Sequence, residues 1–239
     1  MLLILVIGLV AGTLAGIIGF GGTTILLPLL TLQFGPKAAV PIMAIASILG
    51  NFARVVAWWR IVSWRAVAAY SATAIPAAWL GARTMLTLDP VTLELALGVF
   101  FIAMIPLRRW FAARGFRVSL LGLALAGAVI GYLTGIVANT GPINTPFFLA
   151  HGLTKGAFIG TEATASLAMF VSKATAFRSL GALPLETVVN GVIVGTSLMA
   201  GTYVAKRFLH ALTEEMFRGL MDALLLVAGL AMIVSALAA

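Results

Sequence analysis

Gly8, Gly12 and Gly16 recur as Gly127, Gly131 and Gly135, each 119 residues later, and both triplets lie in apolar stretches that run into a polar or glycine-rich interruption followed by proline. A chain so arranged folds as two related halves, each opening with a broken helix. The register continues beyond the glycines. Gly22 pairs with Gly141, and after a one-residue deletion Pro28 pairs with Pro146 and Lys37 with Lys155. It then returns to 119, matching Ser47 with Ser166 and Arg54 with Lys173. A glycine triplet, a proline and two cations in one order mark a tandem duplication. Paired interruptions in matching hydrophobic segments are also the sequence feature that points to a transporter's binding site.

Composition sets the environment. Hydrophobic residues make up 62% of the chain and charged residues 9%, against roughly 25% charged in soluble domains. A bilayer core of about 30 Å takes about 20 apolar residues per helix. Hydropathy divides the chain into eight segments: 1–34, 38–59, 66–84, 90–107, 118–150, 156–177, 185–205 and 216–238. The fold class expected is therefore an all-α polytopic membrane protein, with about eight hydrophobic segments in two internal repeats. Residues 1–112 form the first repeat, 118–239 the second, and 113–117 a short basic cytoplasmic connection.

Segments 1–34 and 118–150 are too long for one perpendicular crossing, since a continuous helix over the first would extend about 50 Å. The breaks fall at Gly19-Phe20-Gly21-Gly22 and at Ala138-Asn139-Thr140-Gly141-Pro142. Non-helical backbone at membrane depth is tolerated only where protein buries it or where it lines a wet cavity, so both breaks face the interior. Each broken segment either re-enters on its own side, giving three full crossings per repeat and inverted halves, or crosses fully, giving four and parallel halves. Re-entry gathers Arg54, Arg60, Arg65, Arg108, Arg109, Arg114, Arg117, Lys155, Lys206, Arg207 and Arg218 on one side, 11 cations against 4. Full crossing gives 9 against 6. The excess of cations in cytoplasmic loops favours inversion and places the basic connection in the cytoplasm. The same rule accounts for the net charge of +8, so membrane lipid and a small anion, not nucleic acid, are the partners expected.

There is no cysteine, and His151 and His210 lie at or near segment ends. Thiolate metal sites and iron–sulfur ligation are excluded, and no nucleophile–base pair or metal cluster falls at membrane depth. Neither an enzyme nor a metal or cofactor is expected. The N-terminus lacks the basic region and cleavage site of a signal peptide, and Met1–Ile18 reads as part of the first repeat, to be retained. The glycine rows, spaced every four residues, are expected to let helices approach closely.

Ionisable groups inside a membrane are costly and mark function by default. Arg54 and Lys173 each follow their serine by seven residues, and either snorkel to the headgroups or face a cavity. Half-helix N-termini at the two breaks would aim backbone N–H groups and positive dipole ends inward, suiting a small anion. The expected substrate site comprises Gly21, Gly22, Thr23 and Thr24 at the first break, and Asn139, Thr140, Gly141, Asn144 and Thr145 at the second. Ser47, Asn51 and Arg54 join it from the segment after the first break, and Ser166 and Lys173 from the one after the second. These polar groups could alternatively mend the broken backbone. Glu162, an acid early in a hydrophobic segment, is a candidate for proton coupling or else a first-turn acid at a helix N-terminus. Asp89-Pro90 reads as an N-cap followed by proline at the first helical position.

The run Gly12-Thr-Leu-Ala-Gly16-Ile-Ile-Gly19-Phe-Gly21-Gly22-Thr-Thr-Ile-Leu-Leu-Pro28, with a looser copy from Gly131 through Gly135 and Gly141 to Pro146, resembles the sulfite exporter TauE/SafE family of bacterial membrane anion transporters. The resemblance covers essentially the whole chain, and the second copy departs from the first with Asn139-Thr140 in place of Phe20-Gly21. It implies a secondary transporter, in the sense of export, for small sulfur-containing oxyanions or organosulfonates such as sulfite, sulfoacetate or thiosulfate. It further implies the bacterial inner membrane and coupling to the proton gradient. A passive anion channel, or a carrier for an unrelated small organic anion, would use the same positive cavity.

Overall fold

In a computed structural model, residues 2–18, 22–113, 117–137, 140–208 and 214–238 are described, and they form ten α-helices with no strand among them. The long first segment divides into α1 (Leu2–Ile18) and α2 (Gly22–Phe34). Then come α3 (Pro36–Trp58), prolonged by a 3-10 turn at Trp59–Ile61, α4 (Trp64–Thr87) and α5 (Pro90–Ala113). The second long segment divides into α6 (Leu120–Ile136) and α7 (Gly141–Ala150). The remaining helices are α8 (Lys155–Ser179), α9 (Leu185–Phe208) and α10 (Glu214–Ala238). Both breaks thus fall between the helix ends where glycine and polar residues interrupt the apolar runs. Gly19, Phe20, Gly21, Ala138 and Asn139 lie outside the described residues.

Local chemistry sets the other boundaries. Gly35, with φ at +76°, makes the one-residue link between α2 and Pro36 of α3, a left-handed conformation that glycine adopts without steric penalty. Ser119 caps α6 by accepting from the Gly122 N–H at 3.1 Å. Asp89 caps α5 by accepting from the Thr92 N–H at 2.9 Å, and hydrogen bonding from Thr92 holds this exposed carboxyl below its usual range.

Among the described residues three helical stretches, Pro36–Ile61, Pro90–Leu107 and Leu185–Ala205, are long and apolar enough to cross a membrane by length and composition alone. Fewer stretches meet that standard than the eight hydrophobic segments read from the sequence. The reason is partly geometric, because α1, α2, α6 and α7 are the shorter pieces of two interrupted segments. It is partly chemical, because α4 carries Arg65, Tyr70, Ser71, Thr73 and Arg83, and α8 carries Glu162, Ser166 and Lys173.

The helices pair with defined direction. α2 folds back along α1, setting Gly8 near Leu26 and Gly22 near Ala11 and Ala15. The α6–α7 unit does the same, and its ends are tied together: the Val118 N–H donates to the Ala150 carbonyl at 3.0 Å, and His151 Nδ1 lies 2.8 Å from the Val118 carbonyl. The chain therefore leaves this hairpin beside the point where it enters. α1 runs parallel to α9, with Gly8 against Ser197, Gly12 against Leu198 and Gly16 against Thr202 and Ala205. α6 runs parallel to α4, with Gly127 against Tyr70, Gly131 against Ala74 and Gly135 against Ala78 and Gly81. α3 and α8 are antiparallel, Trp58 covering Gly156 and Gly160 while the Ser63 N–H donates to Thr161 Oγ1 at 2.9 Å. α5 and α10 are also antiparallel, joined by Gly98 on Gly229 and by an Arg109–Asp222 ion pair at 2.6 Å.

Apolar side chains such as Leu121, Leu125 and Val129 of α6 and Val227 and Val234 of α10 face outward, whereas Arg54, Glu162 and Lys173 are buried. Exposed hydrocarbon around a charged interior suits a protein whose solvent is lipid.

The glycine rows generate a direct test. A methyl group on Gly131 would run into the Ala74 backbone, whereas one on Gly219 would meet nothing. Overpacking typically costs about 1–3 kcal/mol, and here rigid backbone must yield. Gly131→Leu should lower the thermal unfolding temperature in detergent markedly, and Gly219→Ala should leave it unchanged or slightly raised.

Candidate functional site

Ser47, Asn51 and Arg54 stand at positions i, i+4 and i+7 of α3 and so share one face. All three are buried. That face, the start of α2, the second half of α1 and facing residues of α8 and α9 enclose a cavity of about 40 Å³. At roughly 10–15 Å³ for each water probe, this is room for a few waters. α1 contributes Gly12 and Ala15, α2 contributes Gly22 and Thr23, and α8 contributes Glu162, Ser166 and Phe170; Leu198 and Thr202 of α9 and Gly50 of α3 complete the lining.

A chain of polar contacts crosses this space. Thr23 Oγ1 lies 3.3 Å from Ser47 Oγ, and Asn51 Nδ2 donates to the Ser47 carbonyl at 2.7 Å. Arg54 donates through Nη2 to Asn51 Oδ1 and through Nη1 to Glu162 Oε2, the latter at 3.3 Å. The other carboxylate oxygen, Glu162 Oε1, accepts from Ser166 Oγ at 2.7 Å and from Asn144 Nδ2 at 3.3 Å. The network thus runs from the first break to the helix that follows the second. Burying an ion pair is tolerable when further hydrogen bonds satisfy both groups, and here Asn51, Ser166 and Asn144 supply them.

The Arg54–Glu162 contact uses one guanidinium nitrogen and one carboxylate oxygen. Arginine presents a planar fork of donors that can grip an oxyanion with two parallel bonds; here Glu162 takes one prong and the neutral amide of Asn51 the other. Two buried polar atoms nearby have no hydrogen-bond partner, Asn144 Oδ1 and the Tyr70 hydroxyl. Tyr70 lies within electrostatic reach of Glu162 and packs its ring on Phe148 with centroids 5.1 Å apart.

Lys173, fully buried, is placed differently. Its ammonium donates to the carbonyls of Thr134 at 2.7 Å and Val137 at 3.0 Å, at the end of α6, and sits 5.5 Å from the Phe177 ring centre. A cation there completes carbonyls that lack helical partners and meets the negative end of the helix dipole. Neither Arg54 nor Lys173 snorkels to the surface, and only Arg54 lines the cavity.

Of the other residues expected at the site, Gly22, Thr23, Ser47, Asn51, Glu162 and Ser166 converge on the cavity, and Asn144 joins through Glu162. Glu162 lies two turns into α8 and not in its first turn. Thr140 is turned to Thr134, with which its hydroxyl is hydrogen-bonded. Thr145 donates back to the Gly141 carbonyl at 2.9 Å within α7, and Gly141 is the buried first residue of that helix. Thr24 lies in α2, its side chain outside the described set; Gly21 and Asn139 lie outside the described residues altogether. Sequence reasoning missed Tyr70 and Thr202. Each is one of several polar side chains on its helix, and nothing in its own spacing says which neighbour it faces.

Interrupted helices that bury a polar, partly charged cavity inside an apolar exterior define a multi-pass membrane protein built for transport. The chain belongs to the sulfite exporter TauE/SafE family, whose family model matches residues 4–232. This makes it a membrane transporter of the sulfite-export class. No curated protein and no solved structure compared with the chain matches it.

The placement of Lys173 separates its role from that of Arg54. Lys173→Met strands two buried carbonyls, each worth roughly 1–3 kcal/mol when left unpaired. It should lower the unfolding temperature in detergent while sparing any stabilisation produced by a bound anion. Lys173→Arg, which keeps the donors, should lose less.

Proposed function

We propose that this chain is a secondary transporter that binds small sulfur-containing oxyanions or organosulfonates at Arg54 in the cavity beside the first helix break. The observation that carries the reading is a buried arginine whose fork is held by a carboxylate on one prong and a neutral amide on the other, lining a cavity that the start of α2 also lines. The backbone N–H groups and dipole of that helix end add positive potential, and Thr23, Ser47, Asn51 and Ser166 offer neutral hydrogen bonds. A cavity this small suits a carrier, since a channel needs a continuous wet path across the membrane. Export, location in the bacterial inner membrane and coupling to the proton gradient, with Glu162 as the coupling carboxylate, complete the proposal.

The same reading treats residues 1–112 and 118–239 as inverted repeats joined by the cytoplasmic connection 113–117. Exchange of halves turns the α1–α9 pairing into α6–α4 and the α3–α9 pairing into α8–α4, both of which occur. It maps the α3–α8 and α5–α10 contacts onto themselves, and both are antiparallel, as inversion requires. With Ala150 at the surface, Gly141 lies about 14 Å along α7, near the middle of a core of about 30 Å. The tied ends of the α6–α7 hairpin support re-entry.

Two experiments test this. The absence of native cysteine permits single-cysteine labelling: Phe34→Cys should label from one side of the membrane, and Ala112→Cys and Leu153→Cys from the other. Labelling at Leu153 from the Phe34 side would remove both re-entry and inversion. The second experiment reads thermal stabilisation across sulfite, thiosulfate, sulfoacetate and methanesulfonate, since a ligand preferring the folded state raises its stability. At least one should stabilise the parent, Arg54→Gln should abolish the effect, and Arg54→Lys should weaken it by losing the bidentate geometry.

A further inference from the structure

In this structure the anion-binding face of Arg54 already holds an anion, the carboxylate of Glu162, at 3.3 Å. We propose that Glu162 is a built-in occupant of the site, displaced by substrate only as it takes up a proton, so that one proton binds with each anion and export requires an outward anion gradient that exceeds the inward proton gradient. The proposal rests on the reading of Arg54 as the anion site.

The argument starts from charge. Arg54 and Glu162 both line the cavity and both are buried. An isolated charge in such surroundings is strongly disfavoured. With Glu162 ionised the pair is neutral. Adding a monovalent anion to that pair would leave the cavity one negative charge in excess. Protonating Glu162 as the anion arrives keeps the total at zero, and the guanidinium exchanges one oxyanion for another. A sulfonate or bisulfite can take both prongs of the fork, replacing Glu162 on one and the neutral Asn51 on the other with charge-assisted bonds.

The unpartnered atoms supply a second, independent observation. A carboxylate only accepts hydrogen bonds, whereas a carboxylic acid also needs an acceptor for its proton. Asn144 serves the ionised state with Nδ2, and the same amide carries Oδ1, buried and without a partner. The Tyr70 hydroxyl, within electrostatic reach of Glu162, is equally buried and unpartnered. Buried polar atoms are nearly always paired, and an amide oxygen left over next to the donor that serves the carboxylate suits a group that changes between two hydrogen-bonding states.

Few other charges bear on Glu162 among the described residues. α3 offers Arg54, its Lys37 being exposed at the far end of the helix, and α4 offers Tyr70, its Arg65 and Arg83 being exposed. Tyr132 of α6 turns outward to Thr84, and His151 at the end of α7 is held by the Val118 carbonyl. On α8 itself, Lys173 is committed to the α6 carbonyls, and Arg60 of the 3-10 turn is exposed over Trp59. The step is balanced without any covalent change. The carboxylate, a proton from the aqueous side and the incoming anion give the carboxylic acid and the anion bound to Arg54, and release reverses it.

The test uses the full chain purified in detergent, with methanesulfonate and ethanesulfonate as probes, both monoanions whose charge does not change between pH 6 and 8.5. Isothermal titration at pH 8 in buffers of different ionisation enthalpy should give about one proton taken up per anion bound. The apparent Kd should weaken by up to about tenfold per pH unit while Glu162 is ionised, as proton linkage requires. Glu162→Gln, a neutral isostere of the acid, should bind without proton uptake and with a Kd independent of pH. Binding to the parent with no proton uptake and one Kd at both pH extremes would overturn this proposal and leave the anion site standing. Proton uptake that persists in Glu162→Gln would also overturn it. Failure of both probes to bind at any pH would remove the Arg54 site and this proposal with it. If Glu162→Gln does not survive purification, the proton count of the parent decides alone.

Discussion

A helix interrupted within hydrocarbon exposes donors and acceptors that lipid cannot satisfy, and each such group left bare costs several kcal/mol. Much of this interior answers that constraint. At the second break, Lys173 spends its ammonium on the carbonyls of Thr134 and Val137, while Thr134 and Thr140 bond to one another across the gap. The first break has no such filling among the described residues, and the cavity lies against the start of α2 instead. The residues flanking the second interruption are bonded to one another and to Lys173, and those following the first border the cavity.

That asymmetry explains why equal treatment of Arg54 and Lys173 does not survive the structure. At the 119-residue offset Glu162 corresponds to Met43, and Asn51 to Phe170. Arg54 therefore meets a carboxylate and an amide. The equivalent positions for Lys173, Met43 in the first half and Phe170 in the second, are apolar, and this cation turns to backbone carbonyls. A repeat pattern predicts equivalent positions; what each position contacts depends on residues from the other half.

The parts of the fold legible in the sequence were those governed by spacing along one helix. The two interruptions, the close-packing glycines and the Ser47–Asn51–Arg54 face all follow from local chemistry and a period of 3.6 residues. The contacts of Thr140 with Thr134, of Tyr70 with Phe148 and of Thr202 with the cavity depend on which helices lie side by side, and no local pattern encodes that. Span counting suffers for a related reason. α4 turns Tyr70 and Ser71 inward and α8 turns Glu162, Ser166 and Lys173 inward, where tertiary contacts shelter them, so hydropathy along the chain understates how well these helices suit lipid.

The glycine seams determine how such a molecule can move. Each interrupted-helix unit is fastened, nearly backbone to backbone, to a helix distant in the sequence: α1 along α9, and α6 along α4. A motion that parted residues 1–112 from 118–239 as two rigid bodies would tear both seams at once. The mechanical units are therefore exchanged relative to the chain. One body comprises α1 with α9, the other α6 with α4, and α3 and α8 cross between them carrying Arg54 and Glu162, so the hinge lines of this protein do not follow the halves of its sequence.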